Sequence, residues 1–127
     1  MTSALRLALR TRLTGALKAR DKQEAAAMRT VLAALENAEA VPTDPGGSAV
    51  ATSEHVAGAS VGVGAAEAER RTLSQEDERA IVAGEVTDLR DSAASMAAAG
   101  QRSRAEELTA MADVVEQVLD DVAANRG

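Results

Sequence analysis

The chain has 127 residues, 14 basic and 20 acidic side chains, a net charge of −6, and neither a cysteine nor an aromatic residue. That length suits one compact domain and is too short for two ordinary ones. The lack of cysteine excludes disulfides, thiolate nucleophiles and cysteine-ligated zinc or iron–sulfur sites, and the lack of aromatic rings removes any platform on which bases stack.

The apolar fraction leans on alanine, the strongest helix former, whereas strands favour β-branched and aromatic residues. From Ser3 to Arg20 the residues Leu5, Leu9, Leu13, Ala16 and Leu17 recur at helical spacing, which predicts a first helix over about 3–20. Arg6, Arg10 and Arg12 are threaded between them, so no uninterrupted apolar run is left for a signal peptide or a membrane span. A cytoplasmic protein with no membrane partner is the expectation. An arginine-bearing amphipathic stretch also suits a mitochondrial presequence or a membrane-surface helix, but here the apolar face is needed for the core.

At Asp21 the sequence offers an N-cap, with Glu24 three residues on in the capping-box arrangement. A second helix is predicted over about 21–40, with Ala25, Met28, Val31, Leu32, Leu35 and Ala38 on one stripe. A tight turn would make the two an antiparallel hairpin; one continuous helix through Arg20 is the alternative.

Residues 41–70 change character, since Pro42, Pro45, Gly46, Gly47, Gly58, Gly62 and Gly64 fall among small side chains. This reads as a flexible glycine-rich loop between helices two and three, a tolerated insertion of bland composition. SVGVG alternates weakly, yet its glycines and the lack of a partner strand argue against a sheet.

Ser74 and Asp77 form a capping box for a third helix over about 74–99, with Val82, Val86, Leu89, Ala93 and Met96 along its seam and Gly100 suited to end it. Ser103 and Glu106 suggest another box, opening a fourth helix over about 103–124 whose seam holds Leu108, Met111, Ala112, Val115, Val118, Leu119 and Val122. The short turn GQR between them requires antiparallel packing. The expected fold is all-α: one domain over 1–127, four long helices as two antiparallel hairpins.

No self-contained active site is visible. The single histidine, His55, lies in the glycine-rich loop beside Glu54 and reads as solvated. Glu85, Asp88 and Asp91 line up on helix three, as do Asp113, Glu116 and Asp120 on helix four. A di-metal bundle would pair such rows with histidines, and neither row has one, so they read as solvated faces flanking the seam. GASVGVGAAEAER lacks the lysine–serine pair of a phosphate-binding loop and a preceding strand. No catalytic residue, metal ligand or cofactor site is assigned.

Charge is unevenly spread: residues 1–40 carry seven basic and four acidic side chains, residues 67–127 seven and fourteen. Phosphates would be repelled by the second half, so any nucleic-acid contact belongs to the first two helices.

The order of ALKARDK, MRTVLAALENAE, LSQED, EVTDLRDS and AAAGQRSRAEEL resembles the YqeY-like family, small helical bacterial proteins of the GatB/YqeY group. The resemblance spans nearly the whole chain apart from residues 41–70. It implies a long-helix N-terminal domain. Through the second domain of longer members, it also implies a link to the tail of the B subunit of glutamine-dependent tRNA amidotransferases, a tail that contacts tRNA. This chain stops at DDVAANRG, where longer members continue through a Leu-Pro step. The function implied is that of an accessory to carbon–nitrogen ligase activity with glutamine as amido-N donor, its partner tRNA or an amidotransferase subunit.

Positions matching the family pattern are Lys18, Arg20, Asp21, Lys22, Met28, Arg29, Asn37, Glu85, Arg90, Ser92, Gly100 and Arg102. Asp21, Gly100 and Met28 have structural explanations, and Arg102 can pair with Glu106 one turn on. Lys18, Arg20, Lys22 and Arg29, concentrated at one turn, are the candidate contact for an anion or tRNA; intramolecular pairing with the acidic faces of helices three and four is the competing reading. Arg90 and Arg102 have no assigned role. From a different class comes a helical interaction or homo-oligomerisation module, recruiting a second copy through the long seams of helices three and four.

Overall fold

The computed structural model describes residues 3–40 and 72–126, which form four helices: α1 (Ala4–Ala19), α2 (Lys22–Ala40), α3 (Gln75–Ala98) and α4 (Arg102–Arg126). The glycine-rich stretch, with His55 and SVGVG, lies outside the described residues. The fold is all-α. Packing is most extensive between α3 and α4 and next between α1 and α2, the two hairpins, and α2 joins them by touching both α3 and α4.

Alternation of apolar and charged positions delivers one core. Leu9, Met28, Val31, Leu35, Val82 and Val115 are its largest fully enclosed side chains, drawn from all four helices. Each such side chain contributes about 1.5–3 kcal/mol by leaving water. Leu13, Leu32, Leu89, Met96 and Leu119 pack at its margin. Leu17 departs from the expected stripe and is 49% exposed. Ala16 keeps the face of Leu5 and Leu9, and Leu17 is turned from it by about 100°, one residue of helix.

Both hairpin turns use the same backbone device. In the first, α1 ends with Arg20 in the left-handed region (φ 60°, ψ 33°). The Asp21 N–H then donates to the Ala16 carbonyl at 2.8 Å and the Arg20 N–H to Leu17 at 3.2 Å, the paired bonds of a Schellman cap. In the second, Gly100 takes the left-handed residue (φ 82°), Gln101 donates to Met96 at 2.8 Å and Gly100 to Ala97 at 3.0 Å. A continuous helix through Arg20 is thereby excluded.

The caps match the sequence in part. Asp21 Oδ1 accepts the Glu24 N–H at 3.0 Å, as an N-cap should, but the Glu24 carboxylate accepts from Arg12 at 2.8 Å and does not complete a box. The Asp21 N–H that a return bond would need already donates to Ala16 in the Schellman cap, which leaves the Glu24 carboxylate to Arg12. Ser74 and Asp77 form the full reciprocal box. At α4 the helix opens with Arg102, and the Gln101 carbonyl accepts from Ala105 at 3.0 Å. Ser103 therefore lies inside the first turn and not at the cap.

Candidate anion-binding site

Arg20 reaches its position because the Schellman turn reverses the chain within two residues. The reversal places Arg20, Lys22 and Arg29 around one depression of about 350 Å³, with Leu17 and Asp21 also on its wall. All three cations are exposed, and none makes an ion pair among the described residues. Lys18, in the last turn of α1, is likewise exposed and unpaired among them but does not line the depression. Two features set the local potential. Asp21 carries a negative charge at the rim, partly engaged by the Glu24 N–H. The first turn of α2 points its remaining N–H groups and the positive end of its dipole toward the same turn.

Elsewhere Arg6, Arg12, Arg90 and Arg104 are committed to carboxylates, while Arg10, Arg79 and Arg102 make no ion pair among the described residues. Arg12 bridges Glu24 at 2.8 Å and Gln117 at 2.9 Å, pinning α1 to α2 and α4. Arg90 clamps α3 to α4 by pairing with Asp113 at 3.1 Å and with Glu116. Its pKa is raised, first by the hydrogen bonds it donates to Glu116 and Asp113 and then by their charge. Asp113 and Glu116 of the α4 row are therefore held by Arg90, and no carboxylate of either row pairs with a cation of the α1–α2 turn among the described residues. Glu85 is half-buried, and burial, then the neighbouring Asp88 charge, push its pKa up. Arg102 makes no ion pair among the described residues; it shares the wall of a separate depression with Glu106, and Arg104 pairs with Glu107 at 2.9 Å. Among the described residues no cluster of three or more His, Asp or Glu is arranged to hold a metal, and no helix is long and apolar enough to cross a membrane.

One charged cluster is not anticipated by the sequence reading. The Arg6 guanidinium donates from Nε to Glu78 at 2.8 Å and from Nη2 to Glu39 at 2.7 Å, tying α1 to α3 and α2. Burial disfavours its charge, but the hydrogen bond to Glu78 and the charge of Glu39 outweigh that, and its pKa is raised. These partners lie 72 and 33 positions away, beyond any local spacing rule. A faint signal does exist: Glu78 stands one turn before Val82, on the seam of α3, where an apolar residue is expected.

No family model, curated protein or solved structure matches this chain.

Proposed function

We propose that the chain is an accessory RNA-binding helical protein of the YqeY type, contacting the phosphate backbone of tRNA through the α1–α2 turn in support of an amidotransferase. The observation that carries this reading is the convergence of Arg20, Lys22 and Arg29 on one depression, none of them paired among the described residues. Arg6, Arg12, Arg90 and Arg104 are neutralised by carboxylates, whereas Arg10, Arg79 and Arg102 stand apart from one another, so among the described residues the turn is where uncompensated positive charge collects. Without aromatic rings the contact is to phosphates and not to bases, hence independent of sequence. Glutamine hydrolysis needs an activated nucleophile and an oxyanion site, and amide transfer an activated acyl group, and this reading assigns both to the partner.

The test is a titration of the intact chain with tRNA between about 50 and 200 mM salt. Three or so phosphate contacts give a slope of log K against log salt of roughly −2 to −3. Charge reversal of Arg20, Lys22 and Arg29 together is expected to abolish binding. Absence of binding at low salt, or binding indifferent to the reversal, overturns the reading.

A second reading, self-association, has its own observation. A groove of about 680 Å³ runs between α1 and α4, lined by Ala4, Leu7, Ala8 and Gly15 among others, and Leu7 is 59% exposed. Among the described residues the apolar surface without a partner thus lies on α1 and α4, whereas most seam residues of α3 and α4 are spent in the core. Light scattering across the micromolar range, with Leu7→Lys as the disrupting variant, distinguishes the two.

A further inference from the structure

The outer face of α1 carries a knob and a hole at equal distances from one residue. Leu7 is the most exposed large apolar side chain among the described residues, and at Gly15 an added Cβ would meet nothing within 4 Å. Thr11, also exposed, stands four residues from each. At about 100° per residue the three stay within roughly 80° of one another, with Ala4 and Ala8 beside them. This strip has no charge from Ala4 to Gly15 and ends at Lys18, which is exposed and makes no ion pair among the described residues.

Helix α4 flanks the strip and runs antiparallel to it, since Arg12 meets Gln117 while Leu5 and Val122 share a recess nearer the start of α1. The groove of about 680 Å³ between the two helices is walled on the α4 side by Val118 and Val122 and, at its edge, by Asp121. Asp121 is exposed and makes no ion pair among the described residues. One surface therefore holds a knob and a hole, an unpaired base and an unpaired acid.

A surface that pairs with itself across a two-fold axis must contain both halves of every contact. An axis through Thr11, perpendicular to α1, exchanges positions equally far from it: Leu7 falls on Gly15, and Lys18 falls on Ala4, at the end of the groove where α4 brings Asp121. A parallel pairing would instead set Leu7 on Leu7 and Lys18 on Lys18, leaving both holes empty and like charges opposed.

We propose that a second copy of this chain closes the α1 strip and its groove in an antiparallel two-fold pairing centred on Thr11. Leu7 of each copy covers Gly15 of the other, and Lys18 of each pairs with Asp121 of the other. The proposal rests on the self-association reading and gives it a symmetry and a register. With 16 residues α1 is about 24 Å long, so contact along one strip falls below the roughly 800 Å² per partner of a standard stable interface. The dimer is accordingly weak, dissociating at about 10–500 μM.

Because the chain has no cysteine, a single introduced one can only bridge two copies. Under mild oxidation of the intact chain, Thr11→Cys lies on the axis within disulfide reach and is expected to be trapped as a dimer. Ala4→Cys, whose two copies stand about 21 Å apart along the helices, is expected to stay uncross-linked. Sedimentation up to about 1 mM measures association without a cross-link. Lys18→Asp and Asp121→Lys each change an exposed, unpaired side chain, so both are expected to fold, which circular dichroism checks, and to weaken the dimer about tenfold. Combining them leaves the net charge at −6 and is expected to restore the parent affinity within about twofold. A chain monomeric at every concentration overturns the self-association reading and this proposal together. Dimers that cross-link as well through Ala4→Cys as through Thr11→Cys, or that the combined charge swap does not restore, overturn the pairing and leave self-association standing.

Discussion

Arg20 and Gly100 occupy the same position in the two hairpin turns, each the left-handed residue of a Schellman cap, with φ of 60° and 82°. Glycine adopts that conformation freely, whereas a residue with a Cβ is strained there by roughly 1–2 kcal/mol. The first turn therefore keeps a strained arginine where the second has the relaxed solution, and Arg20 is also a wall of the cationic depression. Arg20→Gly is expected to raise stability by about 0.5–1 kcal/mol, part of the relief being offset by the greater freedom of glycine in the unfolded chain. Gly100→Ala, whose new Cβ meets nothing within 4 Å, is expected to lower it by about 1 kcal/mol through backbone strain alone. Urea denaturation reads both. If the turn binds RNA, Arg20→Gly gains stability and loses affinity together, a combination that a purely structural turn would not give.

The Arg6–Glu39–Glu78 cluster makes a sharper prediction about stability. Arg6 and Glu78 side chains are 11% and 6% exposed, so removing either leaves the other charged in a poorly solvated place. Arg6→Ala is expected to cost about 3 kcal/mol, whereas Arg6→Met with Glu78→Leu, which removes the two most buried charges and leaves only Glu39, 25% exposed, without Arg6, recovers most of that. A double-mutant cycle measured by urea denaturation gives the coupling directly. A small loss in Arg6→Ala would mean that water reaches the pair.

Much of this fold is legible in the sequence because its determinants are local. Ser74 and Asp77, three residues apart, must meet if a helix starts there, and they do. Gly100 announces its turn by composition, and the stripe through Met28, Val31 and Leu35 follows from the helical period alone. Determinants set by the packing of one hairpin on the other are not legible. Glu24 looks like half of a capping box until Arg12, twelve residues earlier, is brought alongside. Arg90, without an assigned role in the sequence, becomes the clamp between α3 and α4 once their faces are juxtaposed. The candidate cations Lys18, Arg20, Lys22 and Arg29 sit two to eleven residues apart around one turn and so could be grouped from the sequence. The Arg6–Glu39–Glu78 cluster draws on three helices and could not.

Glu85 supplies a pH dependence. Burial, then the Asp88 charge, raise its pKa in the fold, so over a window above the ordinary glutamate range the folded chain holds a proton that the unfolded chain has lost. Its contribution to stability is fully present below about pH 4, where both states are protonated, and is lost as pH rises through the folded value. Glu85→Gln, which cannot ionise, is expected to be more stable than the parent at neutral pH and to match it at the acidic end. Thermal denaturation across the acidic range tests the sign. A variant less stable at neutral pH would show that the carboxylate has a favourable partner.

Gly15 and Gly84 provide a matched pair for the self-association reading. Both lie inside helices, α1 and α3, and a Cβ added at either meets nothing within 4 Å. Interior helical glycine costs about 1 kcal/mol relative to alanine, so Gly15→Ala and Gly84→Ala are each expected to stabilise the isolated chain by about that amount. Only Gly15 lines the α1–α4 groove. If a second copy approaches the α1 backbone there, the added methyl group obstructs it, and Gly15→Ala weakens association while Gly84→Ala leaves it unchanged. Sedimentation of the two variants beside the parent measures this. Equal association in all three would leave Gly15 unexplained by contact with a second copy and would remove the groove from the interface.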